Sequence, residues 1–402
     1  MAEIIDHAVT SEVSVTDAVT QRVRGQPAFD RAMPLDNVTV AEWRMLASTA
    51  LEPNGYYLPD WELAVNASAR GRTGTSALCA WNDASASRLI GLMPVTSLWR
   101  SYKLPLPVLV SGHPYGTLCT PYLDRSEARA AATGLLQAAR RAGAHALLLR
   151  DMALDGPVMQ AFSEALDRDG LRPRLLQSYL RACLDATGDG DELLREALGP
   201  KKLKELRRQR HRLAEHGDVS FEVARQPREV AAALETFLTL EASGWKGKRG
   251  TALIQHDGDA TFIRRATVGL AENGQCEIVT LRAGDTAIAA GIVPRHQGRA
   301  FFFKLGIDET YAKYSPGVQL TLDLTRHLCA DPAITSADST AGPEHPMINP
   351  IWRGRFAIGD VLIPLRPRDP AVAVIHATLA ARRTALELAR RGIHSVRSRR
   401  KN

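Results

Sequence analysis

The sequence predicts an α/β (α+β) chain of two related units, each a mixed, mostly antiparallel sheet flanked by helices. Three observations carry this. Short apolar runs rich in β-formers alternate with segments of helical period. A Gly284-Asp285 turn joins CEIVTLRA to TAIAAGIVPRH as a hairpin, which a doubly wound parallel sheet would not contain. The order of elements over 37–185 then returns over 219–366, which points to an internal duplication.

Residues 1–36 lack periodicity and read as a disordered arm. In the first unit, 37–185, VTVAEWRMLAST and LPDWELAVNASA read as helices, and SALCAW and RLIGLMPVTSL as strands. A helix ended by Gly143, the strand HALLLRDM, the helix PVMQAFSEALDRDG and the strand RLLQSYLRACLD complete it. Segment 186–218 holds a basic linker helix with a narrow stripe of Leu203, Leu206 and Leu213, stopped by Gly217. The second unit, 219–366, opens with the strand VSFEVAR and two helices, PREVAAALETFLTLEASG and DATFIRRATVGLAENG. After its hairpin come a strand over Phe301 to Ile307, a polar turn and a long helix to Leu328. AITSAD, a loop around His345 to Trp352, and a last strand near Phe356 to Leu365 follow. Residues 367–402 read as a basic C-terminal helix and tail.

At 402 residues, 45% hydrophobic and 24% charged, the chain is long enough for two cores. The net charge of +7 is local. Lys201 to Arg212 carries seven cations against Glu205, and Arg382 to Lys401 carries eight against Glu387, so the remainder is net acidic and no general nucleic-acid face is expected. The first twenty residues include Glu3, Asp6, Glu12 and Asp17 and do not read as a secretory signal. Leu104 to Val110, the most apolar run, is too short to span a bilayer and is broken by Pro105 and Pro107. Five dispersed cysteines without C-x-x-C spacing read as reduced thiols, and a cytoplasmic location is expected. No metal site is expected, because the eleven histidines are scattered and His211 and His216 fall on different helix faces. Phosphate-cradling G-x-x-x-x-G-K, H-E-x-x-H and G-x-S-x-G patterns are absent.

One candidate ligand site stands out. Ser315 can cap the helix that follows, Pro316 suits its first position, and Gly317 permits close backbone approach. The N–H groups of Gly317, Val318 and Gln319, with the helix dipole, are then expected to hold a phosphate or pyrophosphate. Lys304 is a cation in an aromatic strand and needs a partner, for which Asp338 is the first choice. Trp245, Lys246 and Lys248 lie in a glycine-rich loop, GWKGKRG, placed to close over a substrate.

Through KKLKELRRQRHRLAEHG, LEASGWKGKRGTAL, KLGIDETYAKYSPGVQL and Ala337-Asp338, residues 40–365 resemble acyltransferases of the GNAT N-acetyltransferase superfamily. The branch resembled is the CelD-like, cellulose-biosynthesis type. The resemblance implies tandem acetyltransferase-like domains related to Fem-type peptidyl transferases, with the acyl-thioester site in the second. It implies acyl-CoA or acetyl-CoA as co-substrate and an amine acceptor, in polysaccharide or cell-envelope biosynthesis. YSPG would stand where the superfamily's pyrophosphate loop, Q/R-x-x-G-x-G/A, lies; with one glycine and a proline it departs from that pattern and leaves another acyl carrier open.

Direct acyl transfer needs a base for the amine, a donor for the carbonyl oxygen and an acid for the thiolate. Splaying of the Phe301–Ile307 strand would free a backbone N–H for the carbonyl. Glu241 is the first candidate base and Asp338 the second; either could instead be a cap or an ion-pair member. Tyr311 or Tyr314 is the candidate acid, with plain packing the alternative. The expected binding set is Lys304, Ser315, Gly317, Val318 and Gln319 for the donor, with Trp245 and Lys246 for the acceptor. Two other readings remain open: a Fem-like transferase drawing on charged tRNA, whose RNA Lys201 to Arg212 would grip, and a non-catalytic accessory protein of exopolysaccharide production.

Overall fold

The computed structural model describes residues 32–83 and 88–399, with the backbone alone at 387 and 389–399. Positions 1–31 of the arm expected over 1–36, and the tail at 400–402, lie outside the described residues; the end of that arm is ordered, since Met33–Pro34 pairs with Ser76 and Ala77 and Leu35 is buried.

The first half runs β1 (Met33–Pro34), α1 (Val40–Ser48), α2 (Pro59–Ser68), β2 (Ser76–Trp81), β3 (Leu89–Ser97), α3 (Leu98–Tyr102) and β4 (Val108–Ser111). It continues through β5 (Tyr122–Leu123), α4 (Ala128–Arg141), β6 (Ala146–Ala153), α5 (Pro157–Asp167) and β7 (Arg174–Asp185). Helix α6 (Gly190–Leu213) bends at Gly199, where φ is 71° and Pro200 follows. Then come β8 (Val219–Ala224), α7 (Pro227–Ser243), α8 (Trp245–Lys248), α9 (Asp257–Glu272), β9 (Cys276–Ala283) and β10 (Thr286–His296). The chain closes with β11 (Arg299–Phe301), β12 (Lys304–Ile307), α10 (Pro316–Ala330), β13 (Ser336–Asp338), β14 (Gly354–Pro364) and α11 (Pro370–Arg399).

All strands join one sheet, ordered β1-β2-β3-β4-β6-β14-β7-β13-β11-β10-β9-β8, with β12 on β10 and β5 on β3. The duplication is visible in it. Each half has an antiparallel hairpin, β2–β3 or β9–β10, and then a strand that pairs in parallel with the next across a helix. In the first half β4 pairs β6 across α4, and in the second β11 pairs β13 across α10. The last strand of each half crosses over: β7 pairs antiparallel with β13, and β14 with β6. β7 and β14 also pair with each other, from Gly354 opposite Cys183 to Leu362 opposite Arg174. The two repeated units are therefore joined in one mixed, mostly antiparallel sheet built by strand exchange.

Helices cover the sheet with their apolar stripes. α4 buries Ala131, Ala132, Leu135, Leu136 and Ala139, and α10 buries Leu320, Leu324 and Leu328, both at helical spacing. An aromatic seam joins the halves. Trp61 of α2 meets Phe262 of α9 edge-on at 5.2 Å and Phe303 at 4.9 Å, while Tyr56 meets Phe301 at 5.4 Å. Side chains of this size contribute about 1.5–3 kcal/mol each on burial, enough to hold the halves in one register.

Two expectations are corrected. The strand expected over Phe301 to Ile307 is broken, because the Phe302 N–H turns to the Asp338 carbonyl (2.9 Å) and the Phe303 N–H to that of Ile292 (3.0 Å). The glycine-rich segment is not an open loop: Trp245–Lys248 coils into α8, and Gly247 packs so tightly on Ala242 that no side chain fits there.

Where β7 meets β13, Arg181 and Asp338 form an ion pair with side chains 0% and 1% exposed. Removing one member of such a pair leaves an uncompensated charge. Asp338→Ala should destabilise the protein by about 3–5 kcal/mol in urea unfolding, while Arg181→Met combined with Asp338→Leu should recover most of it. A single-variant loss under about 1 kcal/mol would contradict the pair's role.

Candidate active site

After Phe301 and Asp338 the parallel pair β11–β13 stops, and the chains diverge. β12 stays with β10, from Lys304 opposite Ile292 to Ile307 opposite Ala289, while the other chain turns away through Ser339 and Thr340. A cavity of about 310 Å³ opens in the gap. Phe302 to Leu305 and Ile307 form one wall, Ser339 to Ala341 a second, and Trp245, Lys246, His345, Met347 and Ile348 the rim. Thr340 takes φ of 50°, an uncommon conformation for a β-branched residue, held by its N–H on Asp338 Oδ1 (2.8 Å) and its hydroxyl on the Phe302 carbonyl (2.7 Å).

A charge cluster sits against this wall. Glu241, in the last turn of α7, accepts Lys304 Nζ (3.1 Å) and Lys246 Nζ (3.2 Å) on Oε1, and the Leu253 N–H (2.9 Å) on Oε2. Gly306 permits the approach: a Cβ there would lie 3.0 Å from the Glu241 nitrogen and 3.2 Å from the Phe237 carbonyl. Burial pushes the Glu241 carboxyl up, but the two ammonium groups and the Leu253 N–H outweigh it and hold the pKa below the ordinary value. Lys246 moves down from the usual lysine value; desolvation and Lys304 outweigh the attraction of Glu241. Its Nζ also donates to the Leu305 carbonyl (3.1 Å), which therefore faces the gap. In an antiparallel strand the N–H of the same residue points the same way, so Leu305 offers a backbone donor to the cavity.

α8 is tied down by Glu309, which accepts the Trp245 N–H (2.7 Å) and Lys248 Nζ (2.9 Å). Trp245 is exposed at the rim. His345 lines the cavity as a half-buried imidazole; desolvation lowers its pKa, and its Nδ1 is buried without a partner among the described residues. From the sequence His345 reads as a loop residue and at most a spare acid or base. Its signal was weak, since only the fold brings residue 345 beside residue 304.

The structure brings Glu241, Lys246, Lys304 and Trp245 together. It separates the rest. Lys304 pairs with Glu241, not Asp338; Asp338 is turned to Arg181 and the Thr340 N–H and does not line the cavity. Ser315 makes no side-chain cap, because it takes a left-handed φ of 54° after the 3-10 turn Glu309–Tyr314. Gly317 and Gln319 are buried, and Val318 is half-buried. A Cβ on Gly317 would lie 2.9 Å from Leu305 and 3.2 Å from Met347, so these side chains stand between the helix terminus and the cavity. The Gln319 N–H is already given to the Ser315 carbonyl (3.0 Å). Tyr314 is buried with its hydroxyl 2.8 Å from His216 Nε2, and Tyr311 packs on the same imidazole, so neither lines the cavity.

Comparison with known proteins agrees with this arrangement. Residues 200–345, which hold nearly all of the cavity, match the family described as acetyltransferase (GNAT) domain. Among solved structures, FemX superposes with a TM-score of 0.56 at 10% identity, over 85% of this chain and 99% of FemX. The C-terminal domain of a putative lysylphosphatidylglycerol synthetase from Agrobacterium fabrum gives 0.51 at 14% identity, over 85% and 96%. A conserved protein of unknown function from Bacteroides thetaiotaomicron gives 0.50 at 12% identity, over 82% and 98%. No curated protein matches the sequence. At these identities the likeness is one of fold.

Glu241→Gln would leave two ammonium groups facing each other without their counter-ion. Because the native carboxyl titrates below its ordinary value of 4.5, its contribution is present above that value and is lost as pH falls through the lower native one. Thermal melts should show the variant less stable by about 3 kcal/mol near neutrality, with the gap closing below about pH 4.5. A gap that persists unchanged at pH 3 would contradict the ion-pair account.

Proposed function

We propose that the chain is an N-acyltransferase, moving an acyl group from a thioester to an amine by direct attack in the gap between β12 and β13. The carrying observation is the cavity itself, where a strand splay, a free-facing Leu305 N–H and two lysines converge on a space open to solvent. The splay supplies a donor for the carbonyl oxygen as negative charge develops on it, with Lys304 adding a nearby positive charge. His345, kept neutral by desolvation, takes the proton as the amine lone pair attacks the carbonyl carbon. When the C–S bond breaks, Lys246 gives a proton to the thiolate; its lowered pKa brings it closer to that of a thiol. Glu241 positions both lysines. This replaces Tyr311 and Tyr314 as acid, and Glu241 and Asp338 as base.

Acyl-CoA is the donor this reading favours, although the walled-off terminus of α10 argues against a pyrophosphate seated at Gly317. A charged tRNA is the second reading, favoured by one feature: Lys201, Lys202, Lys204, Arg207, Arg208 and Arg212 are exposed along α6, outward of its buried leucines. An accessory protein without catalysis is disfavoured by the open cavity.

Thermal-shift titration with CoA, acetyl-CoA, long-chain acyl-CoA and charged tRNA separates these readings. An acyl thioester should raise the melting temperature of the wild type but not of Ala341→Trp, which fills the cavity. In turnover assays His345→Ala should lower kcat by about 10²-fold with little change in the donor's KM. If no thioester stabilises the wild type while charged tRNA does so with steep salt dependence, the tRNA reading replaces this one.

A further inference from the structure

A second recess, of about 210 Å³, lies in the first half, between the turn after α2, α3 and the ends of β3, β4 and β6. Arg72, Arg100 and Arg150 line it with His113, and its remaining polar side chains, Thr96 and Ser101 among them, are hydroxyls. No carboxylate lines it. Among the described residues none of the three arginines is in a salt bridge with a carboxylate. Glu62, the acid that acts on Arg72, is fully buried with both oxygens unpartnered among the described residues, and desolvation outweighs Arg72 in pushing its pKa well up. Arg150 also borders a neighbouring hollow with Asp151 and Asp360, whose charges act on it from the side away from the recess without lining it. Its guanidinium sits 5.7 Å from the Tyr102 ring and donates no hydrogen bond among the described residues.

The recess is built. Arg100 donates to the Gly74 carbonyl (2.8 Å) and to that of Thr73, which fixes the turn that forms one wall. His113 Nδ1 accepts the Arg72 Nε–H (3.3 Å) and the Tyr115 N–H (3.1 Å), which orients the Arg72 fork. Burial, with Arg72 and Arg150 nearby, lowers the His113 pKa to about 3, so this imidazole stays a neutral acceptor. The recess is also one aromatic ring from the acyl-transfer cavity. Arg72 Cζ lies 4.3 Å from the centroid of Tyr115, and Lys304 Nζ lies 5.7 Å from the same centroid.

We propose that this recess binds a phosphoryl group, and that the group belongs to the amine acceptor. A planar carboxylate is satisfied by one guanidinium fork, whereas three guanidiniums around hydroxyl donors suit a tetrahedral dianion. Binding of phosphate stands on the recess alone; its assignment to the acceptor rests on the acyl-transfer reading.

The test uses inorganic phosphate and glycerol phosphate as probes, with malonate as the dicarboxylate control, followed by calorimetry at low chloride concentration. Both phosphates should bind the full-length wild type more tightly than malonate. Arg150→Met and Ser101→Glu, the latter placing a carboxylate at the half-buried wall, should each weaken them at least tenfold while keeping the melting-temperature shift with acyl thioester. Should Arg150→Met fail to fold, Ser101→Glu decides. Absence of phosphate binding, equal binding by the variants, or preference for malonate overturns the proposal. If phosphate binds as expected but no acyl thioester does, the anion site stands and its assignment to an acyl acceptor falls.

Discussion

The buried pair of Arg181 and Asp338 is the interaction on which the rest of the molecule depends. Arg181 comes from β7 of the first half and Asp338 from the end of β13 in the second. A guanidinium and a carboxylate removed from water are tolerable only if their remaining donors and acceptors are met. Most are: Arg181 also donates to the Thr117 carbonyl (2.6 Å), Asp338 accepts the Thr340 N–H, and the Thr117 hydroxyl donates to the Thr340 carbonyl (3.1 Å). This network holds the point where β11 and β13 part. The cavity wall of the second half is thus fixed by residues of the first, and the strand exchange has a direct consequence for the site.

Electrostatics in the cavity follow from a mismatch in number. One carboxylate, Glu241, serves two ammonium groups, and all three are partly or wholly removed from solvent. The carboxylate is stabilised in its charged form, and that makes it a poor proton acceptor. Lys246 loses more to its own desolvation, with the repulsion of Lys304 added, than it gains from Glu241, and its proton is held less tightly. Positive potential in the gap therefore comes from lysines and a strand N–H. The dipole of α10, whose first turn is covered by Leu305, Ile307 and Met347, is not exposed there.

Much of the secondary structure was legible because it is local. The hairpin across Gly284-Asp285, the amphipathic α4 and α10, and the prolines opening α5, α7 and α10 all carry their cause within a few residues. Misread elements were those whose backbone is set from a distance. Phe302 and Phe303 look like strand residues, but their N–H groups are drawn to different neighbours, and the splay results. Ser315 has the chemistry of a cap, yet the turn before it leaves it in a left-handed conformation with its side chain out of reach.

By itself the sequence determined the mixed α/β character, the repeated order of elements, the ranges of the longer helices and strands to within a few residues, and the need of Lys304 for a counter-ion. Those follow from period, turn chemistry and the cost of burying a charge, which any short stretch of chain expresses. Only the tertiary structure decided that the counter-ion is Glu241, that β7 and β14 trade places, that His345 and Lys304 line one cavity, and that three arginines from separate elements share one recess. Strand pairing and side-chain convergence join residues tens to hundreds of positions apart. Their energies depend on how the whole sheet packs, and no local pattern in the chain records that.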